Sequence, residues 1–240
     1  MLSAQNIDKS YKNGQKAVRA LKDADITVQN GEFVCVIGPN GCGKSTLLKI
    51  TAGILKPTAG KLEAADNVAY LPQQPSLLPW RTIEENLLLA AEIQGKPVKT
   101  AAVPARKLLK EFGLARFGKF YPHMLSGGMQ QKVSLLRTIL FEPELMLLDE
   151  PFSSLDAITR SELQDWLLDL WQKTRPGVVC VTHDIREAVF LADTIYVMNG
   201  RPGSIKKKIK VNLPRPRRRS QLHLPQAAKL EKQLNRLLVR

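Results

Sequence analysis

FVCVIGPNGCGKSTLLKITA, residues 33–52, changes character twice within one short span, and that double change decides how the rest of the chain is read. Phe33–Ile37 is an apolar run of strand length, the middle is rich in glycine, and Ser45–Ala52 has helical spacing. The middle fits G-x-x-x-x-G-K-[ST] in the strand–loop–helix setting that the motif requires. Glycines let successive backbone N–H groups turn inward toward phosphate oxygens. The helix that follows adds partial positive charge from its N-terminus. Gly38, Pro39, Asn40, Gly41, Cys42, Gly43, Lys44, Ser45 and Thr46 are therefore expected to form a phosphate cradle. Within it Lys44 neutralises β- and γ-phosphate charge, and Ser45 ligates Mg2+.

Working outward, Asn30-Gly31-Glu32 punctuates the chain before this unit, and Leu2–Val28 reads as short strands and turns, with Gly14 in a turn. After it, Val68–Leu71 is a short strand closed by Pro72. Helical spacing then recurs over Ile83–Gln94, Val103–Phe112 and Met129–Phe141. Leu145–Leu148 is a buried strand, Ser161–Gln172 an amphipathic helix, Val178–Val181 a strand, Ile185–Ala192 a helix and Thr194–Met198 a strand. Strands alternating with helices argue for an α/β fold with a parallel sheet. A mostly helical subdomain, about residues 74–142, interrupts it. Leu145-Met-Leu-Leu-Asp149-Glu150-Pro151 ends a strand in two carboxylates beside the phosphate loop. Asp149 is expected in the Mg2+ shell, and Glu150 is expected to polarise an attacking water as general base.

Leu125-Ser126-Gly127-Gly128-Met129-Gln130-Gln131 heads a helix, and Ser126 lies 23 residues before Asp149. Physically it is a second anion site, made of a serine hydroxyl, glycine amides and a helix N-terminus. The sequence LSGGMQQ resembles the signature of ABC ATPases, at the spacing that family uses. The resemblance covers residues 1–212. It implies a P-loop NTPase cassette with a RecA-like parallel-sheet core, an N-terminal antiparallel β subdomain and an inserted helical subdomain. It also implies ATP and Mg2+, and a head-to-tail dimer in which Ser126, Gly127 and Gly128 contact the γ-phosphate held by the opposite copy. Further positions match by motif. Gln73, chosen over Gln74 by alignment on Pro75, is similar to the Q-loop glutamine that contacts Mg2+ and water. Asp156, in Ser154-Leu155-Asp156, matches the D-loop. His183 matches the switch histidine on the γ-phosphate, and Tyr11 the aromatic that stacks on adenine. LLPWRTIEEN (77–86), YPHMLSGGM (121–129), THDIREAVFLADTIYVM (182–198), RPGSI (201–205) and LPRPR (213–217) are similar to importers of nitrate, sulfonate, taurine and related small solutes. Gln131-Lys132 and the helix body Ser134–Leu140 depart from that group's usual arginine- and alanine-rich pattern.

The resemblance implies transmembrane permease subunits as partners and, indirectly, a substrate-binding protein. No run approaches the ~18 apolar residues that span a bilayer, and the first residues lack a secretion signal. The expected location is the cytoplasmic side of a membrane, docked on the permease. Trp80 is an anchor for that docking or a core residue of the helical subdomain. Cys35, Cys42 and Cys180 show no metal spacing, and Cys35 and Cys180 read as small buried hydrophobes. Of 36 Lys/Arg and 22 Asp/Glu, residues 201–240 hold 13 and one, so most of the net charge of +14 belongs to the tail. Residues 213–240 read as a basic extension, partly helical over Gln226–Val239, that is solvated or meets anionic lipid headgroups. An exporter or lipid-handling ATPase with separate membrane subunits is an alternative within the same catalytic scheme. A soluble nucleic-acid-associated ATPase is disfavoured, because the tail lacks interleaved aromatics and no nucleic acid is expected as a partner.

Overall fold

The computed structural model describes residues 1–13 and 16–238. The turn expected at Gly14, and Val239 at the end of the expected last helix, lie outside the described residues. A six-stranded sheet carries the fold, in the order β5 (Val68–Leu71), β6 (Leu145–Asp149), β7 (Gly177–Thr182), β3 (Phe33–Ile37), β8 (Thr194–Asn199) and β9 (Ser204–Lys210). The first five are parallel, and β9 runs antiparallel to β8 along one edge. Successive side chains of a strand point to opposite faces. Phe33, Cys35, Ile37, Leu148 and Cys180 accordingly face α5 (Ala157–Thr174), α6 (Ile185–Leu191) and α7 (Pro225–Leu238). Val34, Val36, Leu147 and Val181 face α1 (Lys44–Thr51) and the N-terminal sheet. A sheet covered on both sides needs continuous apolar strands, which is why FVCVI, LMLLD and GVVCVT show no alternation.

The N-terminal sheet is antiparallel, in the order β2 (Lys16–Val28), β1 (Leu2–Asn13) and β4 (Ala59–Ala64). Its strands correct the expectation of short strands and turns. Core positions fall at Leu2, Ala4 and Ile7 on β1, and at Leu21, Ala24 and Ile26 on β2. In each strand one interval of three breaks the period of two. The register shifts on β1 between Ala4 and Ile7, and Asn6 (φ 51°) and Asp23 (φ 45°) are left-handed. These are β-bulges, which look like turns in a linear pattern. Strand β4 was not expected: it contains Gly60 and is exposed along most of its length.

Between β5 and β6 lie α2 (Ile83–Ile93), α3 (Val98–Glu111) and α4 (Gly127–Leu140), which share their own core around Ile83, Leu87, Leu109, Val133 and Leu136. Helix α3 starts at Val98 rather than Val103 and continues through Pro104. Helix α5 starts four residues before the expected Ser161, because Asp156 caps it by accepting from the N–H groups of Ile158 and Thr159.

The basic tail is solvated only in part: Arg218, Lys229, Lys232 and Arg236 are exposed, while other residues dock on the fold. Leu213, Ala227 and Leu234 are buried in the main core. Arg215 lies 4.4 Å over the Trp171 ring and pairs with Asp193 at 2.8 Å. Arg217 is 7% exposed, and burial pushes its guanidinium down to about 10. Arg219 pairs with Asp165 at 3.0 Å.

Candidate functional site

The C-terminal ends of the parallel strands gather the phosphate loop after β3, Gln73 after β5, Asp149 and Glu150 at β6, and His183 after β7. This is the edge at which open α/β sheets bind ligands. Gly41 (φ 76°) and Gly43 (φ 96°) hold the left-handed conformations that the cradle needs, and Gly43 is the N-cap of α1. A side chain at Gly38 would meet the Met198 carbonyl at 2.7 Å and the Cys42 sulfur at 2.8 Å. Lys44 is 6% exposed, with its ammonium donating to the carbonyls of Gly38 (2.8 Å) and Pro39 (3.1 Å). Pro39, Asn40, Cys42 and Thr46 lie within the same loop and helix start. Tyr11, from β1, has its hydroxyl 3.4 Å from Thr46 Oγ1 and is 40% exposed.

Ser45 Oγ donates to Asp149 Oδ1 at 3.1 Å, and Tyr70 donates to Oδ2 at 3.4 Å. Asp149 is buried, and burial raises its carboxyl above the ordinary range despite the Ser45 bond. The next residue, Glu150, is left-handed at φ 48° and its N–H donates to Val181 O at 2.9 Å. A non-glycine residue in that region is held there by its surroundings. Glu150 Oε2 accepts from Gln73 Nε2 at 3.2 Å and lies 3.3 Å from His183 Nδ1. Three segments far apart in sequence thus meet at one carboxylate oxygen.

Ser126 is the N-cap of α4, accepting from the Met129 N–H at 3.4 Å. Gly128 packs beside Leu155 and Ser154, close to Asp156. Among the described residues no hydrogen bond joins Ser126, Gly127 or Gly128 to residues 38–46. Within one chain the two glycine-rich segments thus share no hydrogen bond. Hydrogen bonds from its N–H donors hold the exposed Asp156 carboxyl below the usual range.

Several contacts escaped the sequence reading. Tyr70 was seen only as part of a strand. Arg201 donates to Asn40 O at 3.0 Å and packs where a Gly41 side chain would stand. Behind His183, Glu187 accepts from Gln164 at 3.0 Å and from the Thr182 hydroxyl. Trp80 is 70% exposed, so it is not a core residue of the helical subdomain.

The family model described as ABC transporter matches residues 21–153. The aliphatic sulfonates import ATP-binding protein of Bacillus licheniformis is 42% identical over 91% of this chain and 88% of its own length. The nitrate import ATP-binding protein of a Synechocystis strain is 36% identical over 89% of this chain and 83% of its own length. A dimeric ATP-binding cassette, solved in a post-hydrolysis state with ADP and Pi, superposes with a TM-score of 0.80 at 30% identity. It covers 89% of this chain and 100% of its own.

Proposed function

The chain belongs to the ABC transporter family, and from that membership we propose that it is the ATP-hydrolysing, energy-coupling subunit of an importer for a sulfonate, nitrate or similar small solute. The observation that carries the catalytic reading is the meeting of Gln73 and His183 on Glu150 Oε2. Glu150 accepts the proton of a water that attacks the γ-phosphate of ATP, and Gln73 and His183 orient that water and the phosphate. Glu150 is left-handed at φ 48°, and its carboxylate meets Gln73 and His183. Backbone N–H groups of residues 38–46 hold the phosphates, Lys44 exchanges its loop carbonyls for phosphate oxygens, and Tyr11 supplies a ring face for the base.

Mg2+ fits the residues present. Ser45 and Asp149 offer hard oxygens 3.1 Å apart, with Gln73 nearby through Glu150. Among the described residues no three His, Cys, Asp or Glu side chains converge, so most ligands would come from phosphate and water, the habit of Mg2+. When bound, it neutralises phosphate charge.

The lack of any hydrogen bond between residues 126–128 and 38–46 of one chain, together with the dimeric state of the similar solved cassette, supports a head-to-tail pair. On this reading Ser126, Gly127, Gly128 and Asp156 of each copy complete the site of the other. No helix of the described residues is long and apolar enough to cross a membrane. The exposure of Trp80, beside the Q-loop, supports its reading as the anchor for permease subunits, with the chain at the cytoplasmic face of a membrane and linked indirectly to a substrate-binding protein. Glu150→Gln tests the site: nucleotide affinity stays, turnover falls by about a hundredfold or more, and ATP traps a dimer in size-exclusion chromatography. Turnover like the wild type would remove Glu150 as the base.

A further inference from the structure

Nothing in the catalytic scheme uses the chain after β9, yet that stretch folds back onto α6, the helix that starts two residues after His183. The first turn of α6 is tied closely to the histidine. Asp184 caps it, accepting from the N–H groups of Arg186 (2.8 Å) and Glu187 (3.2 Å). Thr182, directly before His183, donates its hydroxyl proton to Glu187 Oε2 and accepts the Asp184 N–H at 3.1 Å. Backbone on both sides of His183 therefore hangs on the Glu187 carboxylate.

That carboxylate is oriented from the tail. Its Oε1 accepts from Gln164 Nε2 at 3.0 Å, and Gln164 Oε1 accepts from Arg219 Nη2 at 3.1 Å. A guanidinium has donors only, so Arg219 fixes which end of the Gln164 amide faces it and turns the amide NH2 toward Glu187. Both Gln164 and Glu187 are buried, so water is a poor substitute for either partner. Arg219 is itself set by Asp165, by Ser161 O at 2.6 Å and by the Phe190 ring at 4.6 Å. The other end of α6 is gripped by the same segment. Arg215 donates to Leu191 O at 2.6 Å and Arg217 to Ala192 O at 2.8 Å, carbonyls that the helix itself leaves without partners. Arg186 lies 3.4 Å from Glu231 of α7.

We propose that residues 213–238 are an internal clamp on α6 that positions His183, with Arg219 as a positioning residue acting through Gln164, Glu187 and Thr182. The clamp rests on the reading of His183 as a contact of the γ-phosphate. It predicts a split between turnover and binding, because none of these hydrogen bonds involves residues 38–46.

The test uses the full chain with Mg-ATP. Arg219→Met keeps an apolar stem against Phe190 and removes every donor. Its kcat should fall about tenfold while the KM for ATP and the affinity for ADP stay within about twofold. Amides of residues 183–191 should exchange hydrogen faster, with residues 38–51 unchanged. Arg219→Lys, which can still donate to Gln164 Oε1, should recover most of the turnover. Lys229→Ala combined with Lys232→Ala removes tail charge at exposed sites and should leave turnover unaltered. An unchanged kcat in folded Arg219→Met overturns the clamp. So does a matching loss of nucleotide affinity, an unfolded Arg219→Met chain, or an equal loss of turnover in the double lysine variant. A wild-type chain that fails to hydrolyse ATP would instead sink the reading of the site, and the clamp with it.

Discussion

Glu187 holds a carboxyl where water does not reach, and burial pushes its pKa up to about 7 although the Thr182 and Gln164 hydrogen bonds pull the other way. The unfolded chain releases that proton near the ordinary value of 4.5. Between those two values the native state binds more protons than the unfolded one, so raising the pH favours unfolding. The stability present below pH 4.5 is lost as the pH climbs through about 7, and the shift is worth about 3 kcal/mol. Glu187→Gln carries no such proton. Chemical denaturation of both proteins from pH 4.5 to 8 should therefore show their stability difference moving by about that amount in favour of the variant. A constant difference would mean that Glu187 stays ionised throughout. The sequence did not reveal this group, for a physical reason. Lys44, Asp149 and Glu150 announce themselves through the phosphate-loop motif and a strand that ends in two carboxylates, and His183 through the family resemblance. Glu187 meets Gln164 across 23 residues, and Tyr70 meets Asp149 across 79. Each looks like an ordinary polar position on its own element, and only the packed fold makes it a partner.

At the scale of elements, legibility follows the regularity of the pattern. Strands β3, β6, β7 and β8 are read directly, because burial on both faces demands unbroken apolar runs. Bulged strands β1 and β2 lose their alternation at Asn6 and Asp23, and β4 has almost no buried face to show. Helix α7 has an apolar set at helical spacing, but charge dominated the reading of its surroundings. In the fold its Leu234 is wholly buried beside Ala227 in the main core. Truncating such a side chain costs the transfer energy of the lost atoms plus the cavity left behind. Leu234→Ala should lower the free energy of unfolding by roughly 2–4 kcal/mol, whereas exposed Lys232→Ala should change it by less than about 0.5 kcal/mol. Equal, negligible effects in urea melts would return α7 to the status of a loose appendage.

For the whole molecule the question is how a chain with its nucleotide site on one strand edge moves something in a membrane. The Q-loop joins the two ends of that problem. Gln73 touches Glu150, and a few residues on the chain carries Trp80 into solvent at 70% exposure. The intervening loop is not slack. Buried Asn86 of α2 accepts from the Leu78 N–H at 2.8 Å and donates to the carbonyls of Leu78, Arg81 and Thr82 at 3.1, 3.1 and 3.0 Å. Arg137 of α4 holds the neighbouring Ser76 carbonyl at 3.0 Å. A large aromatic ring left in water on a loop this firmly tied contributes nothing to the monomer's own core, and in the anchoring role proposed for it the fixed loop lowers the ordering cost of binding. Trp80→Ala should accordingly leave thermal stability and the ATP turnover of the isolated chain unaltered. Its affinity for the permease should fall by about 2 kcal/mol, about thirtyfold, the range of an aromatic hot spot. Asn86→Ala should weaken docking as well, but with a loss of stability, since it frees several backbone groups at once. Co-purification with the permease in lipid nanodiscs, measured beside the turnover of the free chain, separates the two effects. Undiminished capture of Trp80→Ala would place the docking surface elsewhere on the helical subdomain.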